Sequence, residues 1–221
     1  MQVIEDIKEL YINRFSKDER KERNDIWEVL CSSFFQQYID PKNSVLDLGA
    51  GYCEFINNIK AKRKIAVDLN PETKKFADHN VRTLICSSTK LPKQLTGKID
   101  IVFASNFFEH LPTKEDIVKT LAQVKKALAR KGKIIIMHPN IRYLGGSYWD
   151  FLDHQLPLSE KSLVEALTLS NFKIIKVIPK FLPYTIKSKI PKYKWLIRLY
   201  LKFKLAHFIL GKQSLIIAQK I

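Results

Sequence analysis

Two aspartates and a pair of glycines carry the clearest chemical signal in this chain. They stand as Asp47-Leu48-Gly49-Ala50-Gly51, with Asp68 lying 17 residues after Gly51. Glycines permit a tight backbone turn and close approach of a ligand. A helix N-terminus after such a turn offers unsatisfied N–H groups. A dinucleotide-binding fingerprint uses three glycines there to seat a pyrophosphate. Here the third glycine is missing, and Asp47 precedes the first. A carboxylate at that place repels pyrophosphate and suits a ligand with an ammonium or sulfonium charge. Asp68 stands where a carboxylate accepts hydrogen bonds from ribose hydroxyls. Together they read as a nucleoside site. The plain alternative is an ordinary turn at Gly49-Gly51 and a helix cap at Asp68.

The strands and helices that carry these residues can be read in order. Ser44 to Leu48 reads as a strand, and a helix from about Cys53 to Lys60 follows the turn. Ile65 to Asp68 and Val81 to Cys86 read as the next two strands. Ile99 to Ala104 is a continuous apolar run, as in a strand buried on both faces. Residues 114–129 form an amphipathic helix that stops near Gly132, and Lys133 to Met137 is a fifth strand. Ser159 caps a helix reaching Leu169. Phe172 to Phe181 and Gln213 to Ala218 are the last two strands. Before all of these, Ile4 to Tyr38 is helical, with a break near Ser16-Lys17-Asp18. Alternating strands and helices predict an α/β fold with helices on both faces of a parallel sheet. Sites in such sheets lie at the carboxyl ends of the strands.

VLDLGAGYCEF, IAVDLN, IDIVFASNFFEHL and KGKIIIMHPN resemble four successive motifs of class I S-adenosylmethionine-dependent methyltransferases, spanning residues 45–140. YWDFLDHQLPLSEKSLVEAL and KFLPYTIKS look like a bacterial group of these enzymes associated with sugar and lipid-linked glycan pathways. The resemblance implies a Rossmann-like, seven-stranded, mostly parallel sheet in one domain, 1–221, with a helical extension over 1–40. It implies S-adenosyl-L-methionine as cofactor. Asp47, Gly49 and Gly51 would meet its methionine part, Asp68 its ribose hydroxyls, and Leu69 its adenine. Ser87, in Cys86-Ser87-Ser88, stands where the family often has an acidic residue near the adenine amino group. The loop Ser105 to His110, with Asn106, would border the methyl-transfer site. It lacks the Asn/Asp-Pro-Pro-aromatic sequence of amino-methylating DNA enzymes. Neither Cys53 nor Cys86 follows a proline, as a cytosine C5 nucleophile would.

Methyl transfer from a sulfonium is a direct displacement, and much of its rate comes from alignment. A hydroxyl acceptor also calls for a base, and histidine is the usual one near neutral pH. Three histidines are candidates. His110 sits in Glu-His-Leu, and His138 ends the fifth strand. His154 closes the aromatic, acidic segment Trp149 to His154, which suits a substrate lid. His79 and His207 read as surface or packing residues. Tyr11, Phe15 and Trp27 are expected to pack helices rather than to close over the cofactor, and Gly145-Gly146 to form a turn. Cys31, Cys53 and Cys86 are widely spaced, with no CxxC or Cys/His cluster, so no metal site is expected.

The 221 residues carry a net charge of +16, and its placement is uneven. Glu165 is the last acidic residue, and residues 166–221 hold 12 Lys/Arg. Within them, 182–212 is an insertion between the last two strands. After Pro191 it reads as one helix, with Lys194, Arg198 and Lys202 at every fourth place among Trp195, Leu196, Leu199 and Phe203. Such a helix lies in a membrane interface, or packs on the domain or on a second copy through 191–210. No separate RNA-binding motif accompanies the charge, so nucleic acid is not the expected partner. The N-terminus lacks a signal-peptide pattern, no apolar run spans a membrane, and the cysteines are sparse. A cytoplasmic enzyme fits these features, with packing or dimerisation of the insertion favoured over peripheral membrane contact. The expected activity is methyl transfer to oxygen or nitrogen of a small-molecule or lipid- or glycan-linked acceptor. The competing classes are an NAD-dependent oxidoreductase, against which Asp47 and the missing glycine speak, and a non-catalytic domain binding membrane or RNA.

Overall fold

The computed structural model describes residues 16–184 and 193–221. The first predicted N-terminal helix, with Tyr11 and Phe15, lies outside the described residues, as does Pro191. The second predicted helix is α1, Lys17–Ser33. Ser16 explains the break. Its Oγ accepts from the Glu19 N–H at 3.2 Å, and its own N–H donates to Glu19 Oε2 at 2.8 Å. That reciprocal capping box satisfies two donors that a helix start leaves open.

Seven strands form one sheet: β1 (Ser44–Leu48), β2 (Arg63–Asp68), β3 (Val81–Ile85), β4 (Ile99–Ser105), β5 (Leu128–Pro139), β6 (Phe172–Ile178) and β7 (Gln213–Lys220). Their spatial order is β3-β2-β1-β4-β5-β7-β6. The pairs among β1 to β5 are parallel, and β7 runs antiparallel between β5 and β6. This is the expected Rossmann-like sheet. Between the strands lie α2 (Glu54–Asn58), α3 (Thr73–Phe76), α4 (Lys114–Ala127), α5 (Ile141–Leu144) and α6 (Glu160–Leu169). Some boundaries differ from expectation. β5 begins at Leu128, directly after α4, because Leu128 already pairs with Ile99 ahead of a register shift. β6 stops at Ile178, since Pro179 has no N–H for the ladder.

Alternation along the strands builds one core on each face. Leu46, Val67, Val102 and Ile136 meet Leu121 and Val124 of α4 and Leu163 of α6. Val45, Ala66, Ile101 and Ile135 face the other way, toward Trp27 and Leu30 of α1 and Phe35 just beyond it. Phe35 is fully buried. Its ring lies 5.1 Å from Phe103, 5.3 Å from Phe34 and 5.8 Å from Phe55. This aromatic cluster seats α1 against the sheet. Trp27 belongs to it, stacked on Phe35.

The insertion forms two helices rather than one: α7, Lys194–Lys202, and α8, Lys204–Leu210. Phe203 takes an extended conformation between them, with φ −95° and ψ 93°. Ile197, Tyr200 and Leu201 of α7 pack against the core that holds α1. Lys194 meets Asp25 at 3.0 Å and Glu28 at 2.7 Å on α1. His207 is buried, with Nε2 donating to the Tyr200 carbonyl at 3.0 Å.

We expect Phe35→Ala to cost about 3–5 kcal/mol, because it removes a fully buried ring from a packed cluster. Urea unfolding followed by circular dichroism measures the loss.

Candidate active site

The strand order reverses between β1 and β4, so a crevice opens where their carboxyl ends part. A cavity of about 680 Å³ occupies it. Asp47, Gly49, Gly51 and Asn106 line one part of this cavity. The turn that bounds it has little freedom. Gly49 has φ +71°, and a Cβ there would stand 2.4 Å from Phe107 Cδ2. Asn106 itself has φ +48°, an uncommon conformation for a side-chain-bearing residue. The N–H groups of Gly49 and Ala50 both donate to the Val67 carbonyl, at 2.8 and 3.1 Å, which ties the turn to β2.

Asp47 is buried in the strand end. Burial pushes its carboxyl well above the ordinary range, and the charges of Asp68 and Glu54 push the same way. A cationic ligand beside it would restore the ionised form. Asp68 accepts from the Gly51 N–H at 2.7 Å and from the Asn70 N–H at 2.8 Å. Burial raises its carboxyl, and these backbone donors pull it back. Each oxygen has lone pairs beyond the one that these bonds use.

Asp68, Leu69 and Ser87 are not among the residues lining the cavity. They stand at and after the ends of β2 and β3, further along the same sheet edge. Leu69 is half exposed. The Ser87 hydroxyl is engaged locally, accepting from the Thr89 N–H at 3.2 Å and meeting Thr89 Oγ1 at 2.8 Å.

Beyond Asn106 the cavity meets Glu109, His110 and His154. The chain brings them together through backbone bonds. Gln155 and Leu156 donate their N–H groups to the Glu109 carbonyl, at 2.8 and 3.1 Å. The segment expected as a lid is thus tied to the loop after β4. Tyr148, just before it, is fully buried and donates its hydroxyl to the Leu156 carbonyl. His154 Nδ1 lies 2.7 Å from the Tyr148 carbonyl, and His110 Nδ1 lies 2.9 Å from the Asp153 carbonyl. A carbonyl only accepts, so each Nδ1 carries the hydrogen. In the neutral ring Nε2 is then the basic nitrogen. His110 Nε2 is 3.9 Å from Glu109 Oε1, and the two imidazole rings are 5.0 Å apart.

Two features escape a reading of neighbours along the chain. Glu109, His110 and His154 offer ligand atoms within 4.8 Å of one another, a spacing that can hold a metal ion. The expectation of no metal site rested on spacing in sequence, which does not reveal this meeting. Arg23 and Glu54 both line the cavity and form a two-pronged pair, 2.5 Å at Nε and 2.8 Å at Nη2. That pair joins α1 to the helix after the glycine turn, and only its charges were visible beforehand.

His138 does not border the cavity. Its neighbours Met137 and Pro139 line it, and strand alternation turns His138 to the opposite face. It is fully buried, with Nδ1 donating to the Pro139 carbonyl at 2.8 Å. Burial pushes its imidazole down to about 4 from 6.5. The folded state therefore holds a neutral ring that the unfolded chain protonates below 6.5. Stability present above pH 6.5 is lost as pH falls from 6.5 toward 4. The shift corresponds to roughly 3 kcal/mol. We expect His138→Gln to flatten the stability profile over that window, as measured by urea midpoints at successive pH values.

The profile of the family described as "Methyltransferase domain" matches residues 12–177. No curated protein matches the sequence. Among solved structures, an S-adenosylmethionine-dependent methyltransferase from Archaeoglobus fulgidus is 22% identical, with a TM-score of 0.65 over 90% of this chain and 94% of that one. Another from Thermotoga maritima is 15% identical, with a TM-score of 0.68 over 96% and 98%. Geranyl diphosphate C-methyltransferase from Streptomyces coelicolor is 14% identical, with a TM-score of 0.59 over 86% and 78%. At these identities the likeness is one of fold. The family match spans most of the chain and agrees with that fold, so the chain belongs to the methyltransferase-domain family and is an S-adenosylmethionine-dependent enzyme.

Proposed function

We propose that this enzyme methylates an oxygen or nitrogen of a lipid-linked or similarly apolar acceptor, bound between the glycine turn and the insertion helices. One observation carries the proposal. A single cavity is bordered by Asp47 and Gly49, by Glu109, His110 and His154, and by Leu199, Phe203 and Leu210. A donor pocket, basic nitrogens and an apolar wall therefore share one space. A pocket of about 680 Å³ is also in the size range of small-molecule sites.

The residues present fit the cofactor. A Cβ at Gly49 would collide with Phe107, so the turn passes along the cavity edge as bare backbone that a ligand can approach closely. Asp47 offers a buried carboxylate to a positive charge, and Asp68 offers lone pairs to ribose hydroxyls. In this reading Asp47, Gly49, Gly51 and Asn106 hold the methionine end. Asp68 holds the ribose, and Leu69 and Ser87 flank the adenine. Bound S-adenosylmethionine supplies a methyl group on a sulfonium, open to displacement.

The chain's own residues then orient the acceptor and handle its proton. His154 Nε2 takes that proton, and the Tyr148 carbonyl on Nδ1–H keeps the ring in the required tautomer. His110, held likewise by Asp153, contributes a second basic nitrogen beside the Glu109 carboxylate. Phe151 stacks on His154 and meets Tyr184 edge to face, which keeps water from that end. Handling of an apolar acceptor on this fold is known from the geranyl diphosphate enzyme of similar structure.

Two outcomes test the reading. Asp68→Ala should weaken S-adenosylmethionine binding at least tenfold by calorimetry, with the fold intact by circular dichroism; unchanged affinity would contradict the assignment. His154→Gln should lower transfer of labelled methyl into membrane-lipid extracts by about 10²–10⁴. Cofactor affinity should stay within a factor of two or so of wild type, since His154 acts on the acceptor.

A further inference from the structure

We infer that α7 and α8 form a docking face for an anionic lipid surface, and that the cavity opens onto that face. The loading route rests on the apolar acceptor proposed above. The docking stands on the surface itself. Half of the large apolar side chains that are exposed among the described residues fall within 193–210. Trp195 is 63% exposed, Leu205 63%, Phe208 68% and Ile209 68%. So many exposed apolar side chains on one short stretch of chain are of the kind that marks an interaction site. They are also what remains after packing, because Ile197, Tyr200 and Leu201 on the other side of α7 already meet the core.

Charge selects the occupant. Arg198, Lys202, Lys204 and Lys212 are all exposed around the apolar residues. No acidic residue follows Glu165. A symmetric contact with a second copy would place this patch against itself and set these cations near their own copies. No acid of the segment is there to offset the repulsion. Anionic headgroups supply the missing charge, and the acyl region receives the aromatic and aliphatic side chains. Among the described residues no helix is long and apolar enough to cross a membrane, so α7 and α8 lie in the interface plane.

The same helices border the cavity. Leu199, Phe203 and Leu210 line it while remaining 47%, 60% and 40% exposed. Side chains shared between the cavity wall and the outer face mark an opening between them. The break at Phe203 lets both helices contribute, α7 through Leu199 and α8 through Leu210. An acceptor with an apolar tail can then keep the tail in the bilayer while its polar end reaches His110 and His154.

The test uses the full chain and vesicles of phosphatidylcholine, with and without phosphatidylglycerol. We expect co-sedimentation with the anionic vesicles at least tenfold stronger than with the neutral ones, weakened by salt and accompanied by a blue shift of tryptophan emission. Trp195 and Phe208 do not line the cavity. The double variant Trp195→Ser/Phe208→Ser should therefore lose vesicle binding at least tenfold and keep its circular dichroism spectrum and cofactor affinity. Lys202→Glu/Lys204→Glu should lose the preference for anionic lipid. Equal sedimentation of wild type and both variants overturns the docking face. So does a wild-type dimer in light scattering that ignores vesicles and that Trp195→Ser/Phe208→Ser splits, and so does binding to RNA in place of vesicles. Absent vesicle binding with intact cofactor binding counts against this inference alone. Absent cofactor binding with intact vesicle binding counts against the cofactor site alone.

Discussion

The parting of β1 and β4 at their carboxyl ends is the constraint on which the rest of the molecule depends. Parallel neighbours whose connections leave in opposite directions cannot close the space between them. The chain fills the edges of that space with residues that have little choice. Gly49 sits in a left-handed turn with Phe107 where a side chain would be. Asn106 holds a positive φ across from it. Asp47 is carried into the gap by β1 itself, paired with Ala66 and Phe103 on either side. Its burial is costly in isolation, and a cationic ligand offsets that cost. The fold thus stores an electrostatic demand at one point and builds a pocket around it.

Two further layers make that pocket selective. The aromatic cluster of Trp27, Phe35, Phe55 and Phe103 fixes α1 over one side, and Arg23 with Glu54 pins the helix to the turn. On the other side the backbone bonds from Gln155 and Leu156 to Glu109 bring His154 beside His110. The two histidines and Glu109 gather at that junction. The remaining wall comes from the insertion, whose sequence is apolar and basic at once. Position follows from topology. β6 runs parallel to β5, so a connection leaving β6 emerges at the same edge as the site.

Much of this was legible beforehand, and for physical reasons. The glycine turn, the two aspartates and the succession of strands and helices along the chain follow from local patterns: apolar runs, turn residues and alternating periods. The capping boxes at Ser16 and Ser159 are equally local. The rest depends on register and on contacts distant in sequence. His138 lies at the strand end as expected, but a shift of one residue decides which face it takes. Met137 and Pro139 take the cavity side, and His138 is left in the core. Glu109 and His110 are adjacent, yet their meeting with His154 rests on backbone bonds that no spacing rule encodes. The insertion shows its amphipathic character and its place over the substrate edge in sequence, whereas its break at Phe203 appears only when it packs on α1.

The central claim is that the Asp47 to Asp68 edge holds the methyl donor, with its sulfur facing the histidine cluster. A crystal structure of the protein with S-adenosylhomocysteine tests it most directly. The account predicts the amino-acid end against Asp47 and Gly49, the ribose hydroxyls on the Asp68 carboxylate, and the sulfur open toward Glu109, His110 and His154. Density for the nucleoside away from Asp68, or a sulfur turned from the histidines, would contradict it.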